Sequence, residues 1–173
     1  MPALEVRPLQ THDLPALMAV QRAAYGEGFM ESAEVFTSRL ASQVNCSLAL
    51  LADGQLCAYL AAYHSVQGKV TPLHGDFEPP AGTAPDTLYL HDMAVLPGMA
   101  GQGLAQALLK PLWERAQQRG LRHTALVSVQ GSQGYWARHR YTEHALQDAV
   151  QRQRLATYGE GATYMVRRLA PGH

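Results

Sequence analysis

The chain has 173 residues, enough for one domain with a full hydrophobic core, and 47% of them are hydrophobic against 16% charged. That balance excludes a disordered, solvent-swollen chain, and 14 Lys and Arg against 14 Asp and Glu exclude a bulk electrostatic pull on nucleic acid. No apolar run reaches the length of a membrane span and Met1-Pro-Ala-Leu-Glu5 has no signal-peptide pattern, so one cytoplasmic domain over residues 1–173 is expected, monomer or homodimer, with no membrane or nucleic-acid partner. Leu4 to Pro8 reads as a short strand. Thr11 and Asp13 open a helix through Tyr25, with Leu14, Leu17, Met18 and Ala24 along one face. Tyr25-Gly-Glu-Gly-Phe-Met30 is a loop, and Ser32 or Glu34 to about Val44 reads as a second helix.

Ser47–Leu51 and Leu56–His64 read as a hairpin turning at Asp53-Gly54. A two-residue turn pairs Ala52 with Gln55, so Cys57 faces Leu50 and Cys46 faces Ala61. The two cysteines then do not oppose each other, and no disulfide is expected. There is no C-x-x-C, and among eight histidines no H-x-x-x-H, so no metal site is expected. Residues 65–86, rich in Gly and Pro, read as a long loop, a class that is usually functional or mobile. Thr87–Leu96 reads as a strand and Gln102–Gln118 as a long helix with an apolar stripe of Leu104, Ala105, Leu108, Leu109, Leu112 and Ala116. Pro111 predicts a bend between Ala107 and Pro111, and Gly120 ends the helix as its C′ residue. His123–Val129 reads as a strand, Gln147 to about Ala156 as a helix and Ala162–Leu169 as a last strand.

Val95-Leu-Pro-Gly-Met-Ala-Gly-Gln-Gly-Leu-Ala-Gln-Ala-Leu-Leu109 is the most informative stretch. A strand, a turn with Gly98, Gly101 and Gly103, and a helix start gather free N–H groups around one point. Such a point favours an anion through unpaired donors and the helix dipole, and glycine lets a phosphate approach without meeting a Cβ atom. A Walker loop needs Gly-Lys-Ser/Thr, which Gln102-Gly103-Leu104 lacks. A Rossmann G-x-G-x-x-G fails at Gln106. Ala100-Gly-Gln-Gly103-Leu-Ala105 instead resembles the pyrophosphate loop of the GNAT superfamily of acetyl-CoA-dependent N-acyltransferases, Arg/Gln-x-x-Gly-x-Gly/Ala, with Ala100 in place of Arg or Gln. Leu88–Val95 before it, His123–Val129 after it and Tyr135-Trp-Ala-Arg-His-Arg-Tyr141 resemble the GNAT fourth strand, fifth strand and closing segment, with Arg140 replacing a Gly. The resemblance runs from about Leu4 to Leu169.

The resemblance implies an α/β (α+β) GNAT fold: a central mixed, mostly antiparallel sheet splayed between its fourth and fifth strands, with helices on both faces. It implies acetyl-CoA as co-substrate, its pyrophosphate on Ala100, Gly101, Gln102, Gly103, Leu104 and Ala105. Its pantetheine would run along Met93, Ala94 and Val95, with Gln130 and Tyr135 in reach. The segment 25–30 and the loop 65–86 would wall the acceptor side. Strand alternation puts Tyr89, His91, Met93 and Val95 on one face and Asp92 on the other. Histidine suits proton transfer near neutral pH, and the resembling aralkylamine N-acetyltransferases carry histidines on this strand, matching His91 as base and Tyr89 as a second position. The family's tyrosine acid aligns with Trp136, with Tyr135 one position off and Tyr158 a further candidate. The expected activity is direct transfer of an acetyl group to a primary amine of a small molecule or protein in a ternary complex. The alternative is a GNAT-fold acyl-CoA-binding sensor or partner module with weak or no turnover.

Overall fold

A computed structural model describes residues 2–129 and 131–171. In chain order it contains β1 (Leu4–Pro8), a 3-10 turn leading into α1 (Leu14–Tyr25), α2 (Ala33–Ala41), β2 (Leu48–Ala52), β3 (Gln55–Ser65) and β4 (Thr87–Val95). There follow α3 (Leu104–Gln118), β5 (His123–Ser128), α4 (Gln133–Arg138), β6 (Thr142–Glu143), α5 (Ala149–Ala156) and β7 (Thr163–Arg168). All the strands form one sheet in the order β1-β2-β3-β4-β5-β7-β6. Every neighbouring pair is antiparallel except β4 and β5.

The sheet is covered on both faces. On one, α3 lays Leu104, Leu108, Leu109, Leu112, Trp113 and Ala116 against Leu60, Ala62, Leu88 and Leu90. On the other, Leu14, Leu17 and Val20 of α1 and Phe36 of α2 pack on Tyr59, Ala61, Tyr89 and Ala125. The buried stripe of α1 is completed by Val20 and Gln21; Ala24, expected on it, is exposed. Gln21 is there because its amide closes two bonds with the Glu31 backbone, which ties the loop after α1 to the helix. α2 is shorter than expected, capped by Ser32 on the Val35 N–H and ended at Ala41. α3 starts at Leu104, not Gln102, because Gly103 takes a left-handed conformation at its N-cap (φ 75°). It runs unbroken through Pro111 and closes with Gly120 (φ 77°) and Leu121 donating to the Gln117 and Ala116 carbonyls.

Asp53 and Gly54, both at positive φ, make the β2–β3 turn, as the Asp-Gly pair predicts. Ala52 pairs with Gln55, but a bulge beyond Leu51 then pairs Leu50 with Ala58 rather than Cys57, and Cys46 donates to Ala62 rather than facing Ala61. Both thiols are free. The loop 66–86 has no strand or helix but is not loosely attached. Gly68, Val70, Thr71, Leu73 and His74 donate their N–H groups to Tyr164, Gln151, Tyr89, Thr157 and Glu31 respectively. No helix among the described residues is long and apolar enough to cross a membrane.

Candidate active site

β4 and β5 pair only from Thr87–His123 to Leu90–Leu126. Beyond, β4 continues beside β3 to Val95 and β5 beside β7 to Ser128, and the two part. A cavity of about 290 Å³ opens in the wedge, with Leu90, His91, Asp92 and Met93 on one side and Leu126, Val127 and Val129 on the other. Ser132, Tyr135 and Trp136 close it from the α4 side, and Tyr25, Phe29, Leu73 and Tyr158 from the side of the long loop.

A second irregularity coincides with the wedge. Ala61 pairs with Asp92 but Ala62 with Leu90, so His91 is the extra residue of a β-bulge. Its side chain follows Tyr89 onto the α1 face, as alternation predicts. The phase then slips. Asp92, expected on the opposite face, stays on the α1 side and accepts the Tyr59 hydroxyl; Met93 and Val95, expected beside His91, pack on the α3 side instead. Alternation fails beyond His91 because one residue has no partner in the ladder.

The bulge turns His91 toward a buried charge cluster. Glu31 receives both terminal nitrogens of Arg39 at 2.8 and 2.6 Å and the His74 N–H at 2.8 Å. His91 Nε2 lies 3.0 and 3.1 Å from its two oxygens. The side chains of Glu31, Arg39 and His91 are 2%, 1% and 1% exposed; Glu31 and His91 form part of the cavity wall, which Arg39 does not line. Arg39 is held between the rings of Phe36 and Phe77. Burial alone would raise the Glu31 carboxyl; the attraction of His91 and the bonds and charge of Arg39 outweigh it and hold it well below the usual carboxylate range. A carboxylate only accepts, so Nε2 donates to Glu31, and an imidazole with a single proton has its lone pair at Nδ1. Nδ1 faces the Tyr158 hydroxyl at 3.4 Å, which itself donates to the Thr71 carbonyl at 2.6 Å. Asp92 is partly buried, and desolvation raises its carboxyl above the ordinary value while the Tyr59 hydrogen bond works against the rise. Tyr25 donates to the Met93 carbonyl, so that backbone acceptor is already used.

Tyr89 does not line the cavity; it is fully buried and its oxygen accepts the Thr71 N–H. Ala94 packs into the α1-side core. Gln130 lies outside the described residues. Past β4, Gly101 (φ 83°) and Gly103 (φ 75°) shape the turn into α3. The N–H groups of Gly101, Gln102, Gly103, Leu104, Ala105 and Gln106 meet no acceptor among the described residues, and the first closed helical bond is Ala107 N–H to the Gly103 carbonyl. A Cβ at Gly101 or Gly103 would meet nothing within 4 Å, so the space over the loop is open. The loop therefore fits a bound phosphate. Among the described residues no group of three or more His, Cys, Asp or Glu is placed to hold a metal ion.

The sequence profile described as the Acetyltransferase (GNAT) family matches residues 14–144. The chain belongs to the GNAT acetyltransferase family. Its fold is similar to the ribosomal-protein-S18-alanine N-acetyltransferase of Escherichia coli, at 20% identity and TM-score 0.71 over 99% of this chain and 97% of that one. It is also similar to a GNAT family acetyltransferase from Brucella melitensis in complex with acetyl-CoA (17%, TM-score 0.64, covering 100% and 92%). A third likeness is the GNAT acetyltransferase YhbS of E. coli in complex with CoA (18%, TM-score 0.64, covering 98% and 83%). No curated protein matches the chain.

Two departures from the GNAT pattern have structural readings. Trp136, at the tyrosine position, lines the cavity and packs edge-on against Tyr141, while Tyr135 lies next to it on the same wall. Arg140, where the family has glycine, adopts φ 69° as the C′ residue of α4: its N–H bonds the Ala137 carbonyl and Tyr141 N–H the Trp136 carbonyl. The backbone shape that favours glycine is kept without the glycine. Glu31 and Arg39 escaped the sequence reading, since their partners stand 8, 43 and 60 residues away and no local pattern joins them.

Proposed function

We propose that the protein moves an acetyl group from acetyl-CoA to a primary amine of a small molecule or protein, by direct transfer with both substrates bound. The observation that carries this reading is the coincidence of the β4–β5 wedge, the His91 bulge and the Glu31-paired imidazole at one point, downstream of which the open glycine loop begins. The loop N–H groups from Gly101 to Ala105 would hold the pyrophosphate, and the part of β4 beyond Leu90, free of β5, would orient the pantetheine arm. The complexes of the Brucella protein with acetyl-CoA and of YhbS with CoA support that donor.

An ammonium must lose a proton before its nitrogen can attack a thioester carbonyl, and the departing sulfur must gain one. His91 lines the cavity, but its side chain is 1% exposed, with Nε2 on Glu31 and Nδ1 turned to Tyr158. Tyr158 spans the gap: once its O–H swings from the Thr71 carbonyl to His91 Nδ1, the hydroxyl takes the proton shed by the amine as it passes its own to the imidazole, and Glu31 balances the imidazolium that results. The carbon–sulfur bond breaks as the carbon–nitrogen bond forms, and the second N–H proton, shed as the amide forms, reaches the thiolate through water, since Trp136 supplies no acidic proton. An acyl-cysteine route has no support. Neither cysteine lines the cavity, and burial pushes the Cys46 thiol up to about 12 and raises Cys57 as well.

The test is release of free thiol from acetyl-CoA by the full chain against a panel of amines and peptides, with acylated product identified by mass. Trp136 in place of the tyrosine favours the second reading, an acyl-CoA-binding module. CoA binding without thiol release from any acceptor would establish that reading and sink the first.

A further inference from the structure

The charges around the cavity restrict what the acceptor can be. Among the described residues no Lys or Arg lines it. Arg39 is the nearest buried cation in the cluster, and it is consumed: its terminal nitrogens go to Glu31 and its Nε to the Gly75 carbonyl. Glu31 is equally full, with Arg39, His91 and the His74 N–H on its two oxygens, so it has no place for a ligand's ammonium. Asp92 differs. It lines the cavity, its Oδ2 takes the Tyr59 hydroxyl, and no Lys or Arg among the described residues pairs with it. Around it the long-loop side of the cavity presents Tyr25, Phe29, Leu73 and Tyr158, all aromatic or aliphatic.

We infer that the acceptor is a small apolar primary amine that carries no carboxylate, with its ammonium on Asp92 and its body against Tyr25, Phe29 and Leu73. This deepens the acetyl-transfer reading and rests on it. A carboxylate on the acceptor would enter a pocket with one unpaired acid and, among the described residues, no Lys or Arg. A charge buried without a partner is rejected strongly, whereas an extra methylene is barely distinguished. Burial raises the Asp92 carboxyl in the free protein, and a bound ammonium is the counter-charge that ionises it.

The pair that isolates the carboxylate is pentylamine against norleucine, which differ by that group alone, compared at equal free-base concentration in thiol release by the full chain. Pentylamine should exceed norleucine in kcat/KM by about 100-fold or more. Asp92→Asn should raise the pentylamine KM about tenfold or more while the thermal shift by CoA is unchanged. Leu73→Arg, which places a cation in the wall, should narrow the pentylamine–norleucine gap, and carries the test alone should Asp92→Asn not fold. Norleucine or a short peptide matching pentylamine as acceptor, or an unmoved gap in Leu73→Arg, overturns the inference while leaving acetyl transfer standing. If nothing is acetylated, thermal shift in the presence of CoA separates the two claims. Stabilisation by pentylamine and not by norleucine upholds the acceptor class and removes the acetyl-transfer reading; equal shifts, or none, overturn the acceptor class.

Discussion

At the scale of single residues, His91, Glu31 and Tyr158 have separable roles. His91→Gln keeps a side-chain amide toward Glu31 but cannot titrate, so turnover should fall about 100-fold or more with CoA binding intact. Tyr158→Phe should fall with it, and an active Tyr158→Phe enzyme would show that the proton leaves by another path. Glu31→Gln is a stability test as well. It strands Arg39 in the interior, where breaking a buried pair costs about 3–5 kcal/mol. The Glu31 carboxyl is lowered by folding, so its contribution is complete above the ordinary carboxylate value, near ~4.3, and is lost as pH falls through the folded value. Asp92 is raised by folding, so its contribution is complete below the unfolded value and is lost as pH rises through the folded one. Urea unfolding from about pH 3 to about pH 8 should therefore show a less steep acid limb in Glu31→Gln and, in Asp92→Asn, higher stability at neutral pH. If Asp92→Asn were less stable at pH 7, the cost assigned to burying that carboxyl would be wrong.

At the scale of elements, the loop into α3 and the end of α4 make opposite tests of glycine. Gly103 is left-handed with open space where a Cβ would stand. Asn tolerates that conformation, so Gly103→Asn should fold with a loss of about 1 kcal/mol at most, and Gly103→Asp should do likewise. Only the second puts a negative charge where a pyrophosphate would lie, so CoA should still raise the melting temperature of Gly103→Asn and not of Gly103→Asp. Equal CoA binding by both would remove the loop assignment. Arg140, left-handed without glycine's freedom, should gain up to about 1 kcal/mol on Arg140→Gly, read by urea unfolding. The elements themselves were legible in the sequence where local chemistry dictates them: Asp53-Gly54 makes its turn, Gly120 ends α3, and the 3.6-residue stripe buries Leu104, Leu108 and Leu112. What local pattern could not show was the pair of bulges. A bulge depends on the partner strand, so alternation read along β4 alone carries straight through His91 and misplaces Asp92, Met93 and Val95. The two-residue β6 escaped for the same reason, because it exists only as a partner of β7.

At the scale of the whole molecule, the sheet is continuous at one end and divided at the other. Between Thr87 and Leu90, β4 has strands on both sides; beyond Leu90 its β5-side backbone groups have none. The division is stable because each half keeps a partner, β4 with β3 and β5 with β7, and because α3 and α1 hold the sheet from opposite faces. A ligand that lies in the wedge adds what the missing ladder lacks, and its binding energy becomes folding energy. At 100 times its dissociation constant CoA would add about 2.7 kcal/mol to global stability, whereas NAD or ATP should add none. Hydrogen exchange then distinguishes binding in the wedge from binding elsewhere. In the free protein, the amides of β4 past Leu90 and of β5 past Leu126 that face the gap should exchange faster than those of 87–90 and 123–126. Acetyl-CoA should slow the gap-facing amides and the loop amides from Gly101 to Gln106 more than the rest of the sheet. Protection that rises uniformly, with no excess at β4, β5 or the loop, would mean that the ligand stabilises the fold from another surface and that the wedge is not its seat.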